Sequence, residues 1–163
     1  MRSVWAFVGV FGLMLLMTGC TMGAGRVGAA LLPPSDQRPS DESLYHAKLH
    51  YENGDYGLAE KFYRRAVEAN HNSIDAWLGL AACYDRLRRF DLAERAYREV
   101  VERVGQTPTV LNNLGYHYML RGDLSKAKRY LLAALKEDPH NPQIQHNLAL
   151  LETWASAHGG AVR

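Results

Sequence analysis

The chain has 163 residues, with 19 Lys and Arg against 17 Asp and Glu, a net charge of +2. That near balance leaves no basic footprint for nucleic acid, and two cysteines, Cys20 and Cys83, are too few for a disulfide framework. The length suits one domain with its own core.

In chain order the first element is the apolar run VWAFVGVFGLMLLM, Val4 to Met17. It is too short to cross a bilayer, which takes roughly 20 residues. A basic Arg2, this run and the small pair Thr18-Gly19 follow the order of a secretory signal. Residues 1–19 are therefore expected to be a signal peptide. The stretch Met17-Thr18-Gly19-Cys20 resembles the lipobox of bacterial lipoproteins, with Met where Leu is usual. The resemblance implies that Cys20 becomes the first residue and carries acyl chains, palmitate among them. Several chains anchor far more firmly than one. In such lipoproteins an Asp after the lipidated Cys implies inner-membrane retention, and Thr21 stands there, so the implied location is the periplasmic face of the outer membrane. Residues 20–39, rich in Gly, Ala and Pro without period, are expected to form a flexible tether with a reach of roughly 25 Å.

From residue 40 the sequence repeats with a period of 34. Ala59, Ala93 and Ala127 keep the interval, as do Tyr63, Tyr97 and Leu131, and the small residues Ala47, Ala81, Gly115 and Ala149. Trp77, Leu80, Ala81 and Tyr84, then Ala93 and Tyr97, match the tetratricopeptide pattern W-x₂-L-G-x₂-Y…A-x₃-F; so do Leu111, Leu114, Gly115 and Tyr118, then Ala127, Leu131 and Pro139. The spacing predicts helices over 41–53, 56–69, 74–87, 90–103, 108–121, 124–137 and 142–157. Thr107-Pro108 and Asn141-Pro142 read as N-cap followed by proline at the first helical position. Gly54-Asp55 and Gly122-Asp123 mark turns inside hairpins. The expected fold is all-α, a right-handed superhelical array of about three tetratricopeptide hairpins (40–73, 74–107, 108–141) with a C-terminal capping helix (142–157). Residues 158–163 are expected to be a disordered tail.

Gln145 and Glu152 replace apolar residues of earlier copies, which suits a last helix with no partner following it. Glu42 and His46 stand where later copies have Ala76 and Leu80, matching a first hairpin with none before it. Ser43 and His50 occupy positions that face a partner helix.

No phosphate loop, CxxC pair, HExxH or nucleophile elbow occurs, and neither enzymatic activity nor a cofactor is expected. His46 and His50 share a helix face at i and i+4 but have no third ligand fixed by spacing, so no metal is expected. Arg86, Arg88, Arg89, Arg95 and Arg98 interleave with Asp85, Asp91, Glu94 and Glu99 and read as a solvated mixed surface. Cys83 falls on an apolar helix face and reads as a small buried thiol.

The first helix of each hairpin lines the concave side of such an array, where extended partners bind. The register places Tyr45 and Lys48 there, then Asn112, Asn113, Tyr116 and Met119, then His146, Asn147, Leu150 and Trp154. Aromatic anchors beside amides suit a peptide or a partner helix. Trp154 has the alternative of folding onto the end of its own array. Lys48 with Leu44 does not reproduce the carboxylate clamp known in some tetratricopeptide domains.

Signal, tether and array together resemble the pilotin-like lipoproteins of bacterial surface machines. Within residues 40–155, the NNLGY stretch from Asn112 and the QHNLAL stretch from Gln145 look most like the TadD-type lipoproteins of the tight-adherence (Flp) pilus system. That resemblance implies a scaffold for pilus assembly, with a secretin or another pilus component as protein partner and a lipid anchor in the outer membrane. The alternative for the same layout is an adaptor recruiting peptidoglycan hydrolases or synthases.

Overall fold

The structure is a computed structural model that describes residues 38–157. The signal peptide, Cys20 with its lipid, all but the end of the tether, and the 158–163 tail lie outside the described residues. Seven α-helices follow one another: α1 (Arg38–Glu52), α2 (Tyr56–Ala69), α3 (Ile74–Arg86), α4 (Phe90–Val104), α5 (Pro108–Arg121), α6 (Leu124–Glu137) and α7 (Pro142–Ala157). Among the described residues no helix is long and apolar enough to cross a membrane.

Helix starts obey local chemistry. Thr107 accepts from the Val110 amide at 3.3 Å with Pro108 in the first turn, and Asn141 accepts from Gln143 and Ile144. Ser73 caps α3 and Asp123 caps α6 in the same way. Each such cap is worth about 1 kcal/mol. The bond from the Lys126 amide holds the Asp123 carboxyl below its ordinary range. α1 is already helical at Arg38, the first described residue, ahead of the expected 41, and the buried Ser40 hydroxyl in that added turn donates to the Ala66 carbonyl at 3.1 Å.

Each hairpin closes around its smallest residues. Ala47, Ala59, Ala81, Ala93 and Ala127 are wholly buried, so paired backbones approach without a large side chain between them. Gly115 is tighter still, since a Cβ there would stand 2.5 Å from Leu131 Cγ. Turns inside all three hairpins use a left-handed residue at one repeat position: Gly54 (φ 81°), Arg88 (φ 58°) and Gly122 (φ 88°). Arginine is the costly choice there, because its Cβ meets the following carbonyl.

Hairpins α1/α2, α3/α4 and α5/α6 stack in order, and α7 packs on α5 and α6. The odd-numbered helices touch along one side, α1 with α3, α3 with α5 and α5 with α7. Ile144 of α7 packs on Leu111 and Ala134, and Leu151 on Met119 and Leu131. Gln145, Ala149 and Glu152 are exposed, as expected for the capping helix. At the other end Glu42 is exposed, while His50 is covered by α2, its ring stacked on Phe62 at 5.4 Å between centroids.

Candidate functional site

Helices α3, α5 and α7 run side by side and so bring one repeat position from each onto a shared wall. Ala82, Tyr116 and Leu150 form such a row, 34 residues apart, and it opens into a concave pocket of about 310 Å³. Asn112, Asn113, His146 and Asn147 line the same pocket. Six of the ten residues expected in the groove are therefore gathered in one place. Asn112 and Asn147 are buried and joined across the wall, Asn147 Nδ2 donating to Asn112 Oδ1 at 2.9 Å. One amide oxygen is thereby spent, and Asn113 and Gln143 remain half or fully exposed on the walls.

Four expected groove residues lie elsewhere. Met119 is a correction: it is wholly buried against Leu131 and Leu151, because its position in α5 turns into the hairpin contact rather than toward the concave side. Trp154 is half-buried against that same cluster and does not line the pocket. Tyr45 is 66% exposed on α1 with its edge on His46, and Lys48 is tied to Asp75 at 3.1 Å, so neither reaches the pocket.

The floor holds what sequence reasoning missed. Asp85, expected on a solvated surface, is 2% exposed and lines the pocket with Tyr97. Tyr97 reaches through from α4, and its hydroxyl donates to Asp85 Oδ2 at 3.0 Å. His117 of α5, wholly buried, places Nδ1 2.6 Å from Asp85 Oδ1. An ionised carboxylate only accepts, so the imidazole donates from Nδ1, and its Nε2 is left without a partner. Phe90, Tyr97 and Tyr118 enclose that ring, with centroids 6.0, 5.6 and 4.9 Å away. Burial holds the Tyr97 phenol well above its ordinary range, and the Asp85 charge adds to the effect. Tyr51, at the pocket's α1 side, is pushed up to about 12 by burial, with Arg86 pulling against it. Both phenols are donors at neutral pH.

Charge is unevenly placed. The pocket lining contains no lysine or arginine; Arg86 stands over the Tyr56 ring at 4.6 Å from the centroid. Buried Glu60 takes Arg64 from its own helix and Arg89 from the next hairpin, the latter at 2.6 Å. Glu94 takes Arg121 at 2.9 Å. The arginines Arg89 and Arg121 thus serve the joints between hairpins. Among the described residues no group of His, Cys, Asp or Glu could hold a metal ion.

Residues 50–115 and 108–141 each match the tetratricopeptide repeat family. The general transcriptional corepressor ssn6 of Schizosaccharomyces pombe is 26% identical over 149 residues, covering 83% of this chain and only 13% of that protein. Pseudomonas aeruginosa pilF shares the fold with a TM-score of 0.63 at 22% identity, over 76% of this chain and 56% of that one. The Yersinia enterocolitica type III secretion chaperone SycD, solved with a peptide of the translocator YopD, gives 0.59 at 20% identity over 72% and 89%.

Proposed function

The chain belongs to the tetratricopeptide-repeat family, and from that premise we propose that it is a lipid-anchored scaffold on the periplasmic face of the outer membrane that helps assemble a pilus or secretion machine, in the manner of TadD-type lipoproteins. One observation carries the binding part of the reading: the pocket of about 310 Å³ that α3, α5 and α7 build from Ala82, Tyr116, Leu150 and the Asn112/Asn147 pair. A concave site with an aromatic anchor and fixed amides suits an extended segment of a protein partner, whose backbone the amides can hydrogen-bond. The lipobox-like stretch ending in Cys20 supports the anchoring part. The fold shared with SycD, named as a type III secretion chaperone and solved with a peptide of the translocator YopD, supports the binding part. Mechanistically the role is binding plus tethering: an anchored groove raises the partner's local concentration at the membrane, and no bond is made or broken.

Co-purification from membranes tests it with wild type, Cys20→Ala and the pair Tyr116→Ala with Leu150→Ala. The groove pair is expected to stay in the outer-membrane fraction while losing a secretin or pilus component. Cys20→Ala is expected to leave that fraction. A groove variant that keeps every partner, with Cys20→Ala unmoved, refutes both parts.

A further inference from the structure

The chemistry of the pocket floor deepens the groove reading and rests on it. Among the residues lining the pocket, Asp85 is the sole carboxylate, and no lysine or arginine lines it to neutralise that charge. Its two oxygens are each engaged once, by the Tyr97 hydroxyl at 3.0 Å and by His117 Nδ1 at 2.6 Å. Each carboxylate oxygen can accept a second hydrogen bond. Both donors belong to side chains that are themselves buried, so the carboxylate is locked in orientation by α4 and α5. Tyr51 and Tyr116 line the same pocket, and aromatic rings attract cations; Asn113 and Gln143 line it too, and their amide oxygens accept. The Lys48 ammonium, which would favour an acidic partner, is held outside by Asp75 at 3.1 Å.

We infer that the pocket is a subsite for a basic side chain, so that the partner segment this groove takes presents an arginine or lysine to Asp85, with Tyr116 and Tyr51 flanking the cation. A guanidinium or ammonium supplies donors to the remaining lone pairs of the carboxylate, which no lysine or arginine of the lining reaches. Acidic segments are disfavoured, because they would bring a carboxylate to a pocket whose lining already holds Asp85 and has no lysine or arginine.

The test titrates the full chain with three blocked tripeptides, acetyl-Ala-Arg-Ala-amide, acetyl-Ala-Leu-Ala-amide and acetyl-Ala-Glu-Ala-amide, following the NMR signals of Asn112, Asn113, Tyr116 and Asn147. The arginine peptide is expected to bind about tenfold more tightly than the other two, the worth of one charge-assisted hydrogen bond. Asp85→Asn is expected to bring it down to the leucine level. Because Asp85 is also part of a buried network, a second variant uses half-exposed Asn113: Asn113→Lys puts a cation into the pocket wall and is expected to remove most of the arginine preference. Equal binding of all three peptides at these residues, or an arginine preference that survives Asn113→Lys, overturns the inference and leaves the groove standing. Signals that no peptide moves overturn the groove reading and the inference together.

Discussion

Gly115 and Leu131 offer a test in which the cost of one substitution depends on the other. In α5 Gly115 lies against α6, and a Cβ there would stand 2.5 Å from Leu131 Cγ, 2.7 Å from Cδ2 and 3.3 Å from the Ala127 carbonyl. Leu131 is wholly buried and has no room to retreat. Overpacking of this kind costs about 1–3 kcal/mol. Against it, alanine inside a helix gains about 0.5–1 kcal/mol over glycine. Gly115→Ala is thus expected to lose about 1–2 kcal/mol. Leu131→Ala alone leaves a cavity and is expected to lose about 2–5 kcal/mol. In that background the two close carbons are gone, but the Ala127 carbonyl at 3.3 Å is still a tight backbone contact that offsets part of the propensity gain, so Gly115→Ala should come out within about 0.5 kcal/mol of neutral. Urea unfolding of the four proteins, followed by circular dichroism, gives the coupling energy, expected at about 1–2 kcal/mol. A coupling under about 0.5 kcal/mol means the two hairpin helices do not meet through this pair.

Arg88→Gly is expected to stabilise by about 0.5–1 kcal/mol, since it relieves a left-handed arginine (φ 58°) at the position where the other two hairpins use glycine; a higher urea midpoint checks it. Met119→Ala should cost about 2–5 kcal/mol, while Tyr45→Ala, on a residue 66% exposed, should stay within about 0.5 kcal/mol; equal losses contradict the burial pattern. Alkali is expected to weaken the fold. Burial raises the Cys83 thiol from 9.0 to about 12 and the Tyr51 phenol from 10.0 to about 12. Their protonated forms are favoured by the folded state, so this stability is complete below the unfolded values and is lost as pH climbs from about 9 toward 12. A urea midpoint that does not move over that range contradicts the burial of Cys83, as does native-state alkylation of its thiol at the unfolded rate.

The hairpins and most of the pocket could be read from the sequence because a 34-residue period carries burial from one copy to the next. Leu80, Ala81 and Tyr84 told what Leu114, Gly115 and Tyr118 would do, and the structure buries all six. The pocket floor was missed although the same rule reached it. His117 shares its repeat position with Cys83 and Leu151, both buried, and Cys83 had been assigned to the core. Asp85 shares its position with Met119, which is wholly buried. Residue type and register disagree at Asp85, since an aspartate among arginines reads as solvated while its repeat position is buried, and at Met119 that same buried position turns the side chain away from the groove. What the period could not supply is the pairing itself. Asp85 and Tyr97 come from the two helices of one hairpin and His117 from the next, so packing both within and between hairpins decides that their polar tips meet.

The buried bond between Asn147 and Asn112 also fixes a pivot. Apolar contacts such as those of Ile144 and Leu151 tolerate a small slide, whereas parting a buried amide pair leaves both groups unsatisfied, so a small swing of α7 is expected to keep the point where that bond is made. At about 1.5 Å per residue, Ala157 at the far end of α7 lies about 15 Å from Asn147. A swing of about 10°, within the ordinary scatter of helix crossings, carries that end nearly 3 Å. Gln143, His146 and Leu150, which line the pocket, all sit within about 6 Å of the pivot along the helix and move by about 1 Å or less. The last helix can therefore follow whatever it touches while the groove keeps its dimensions.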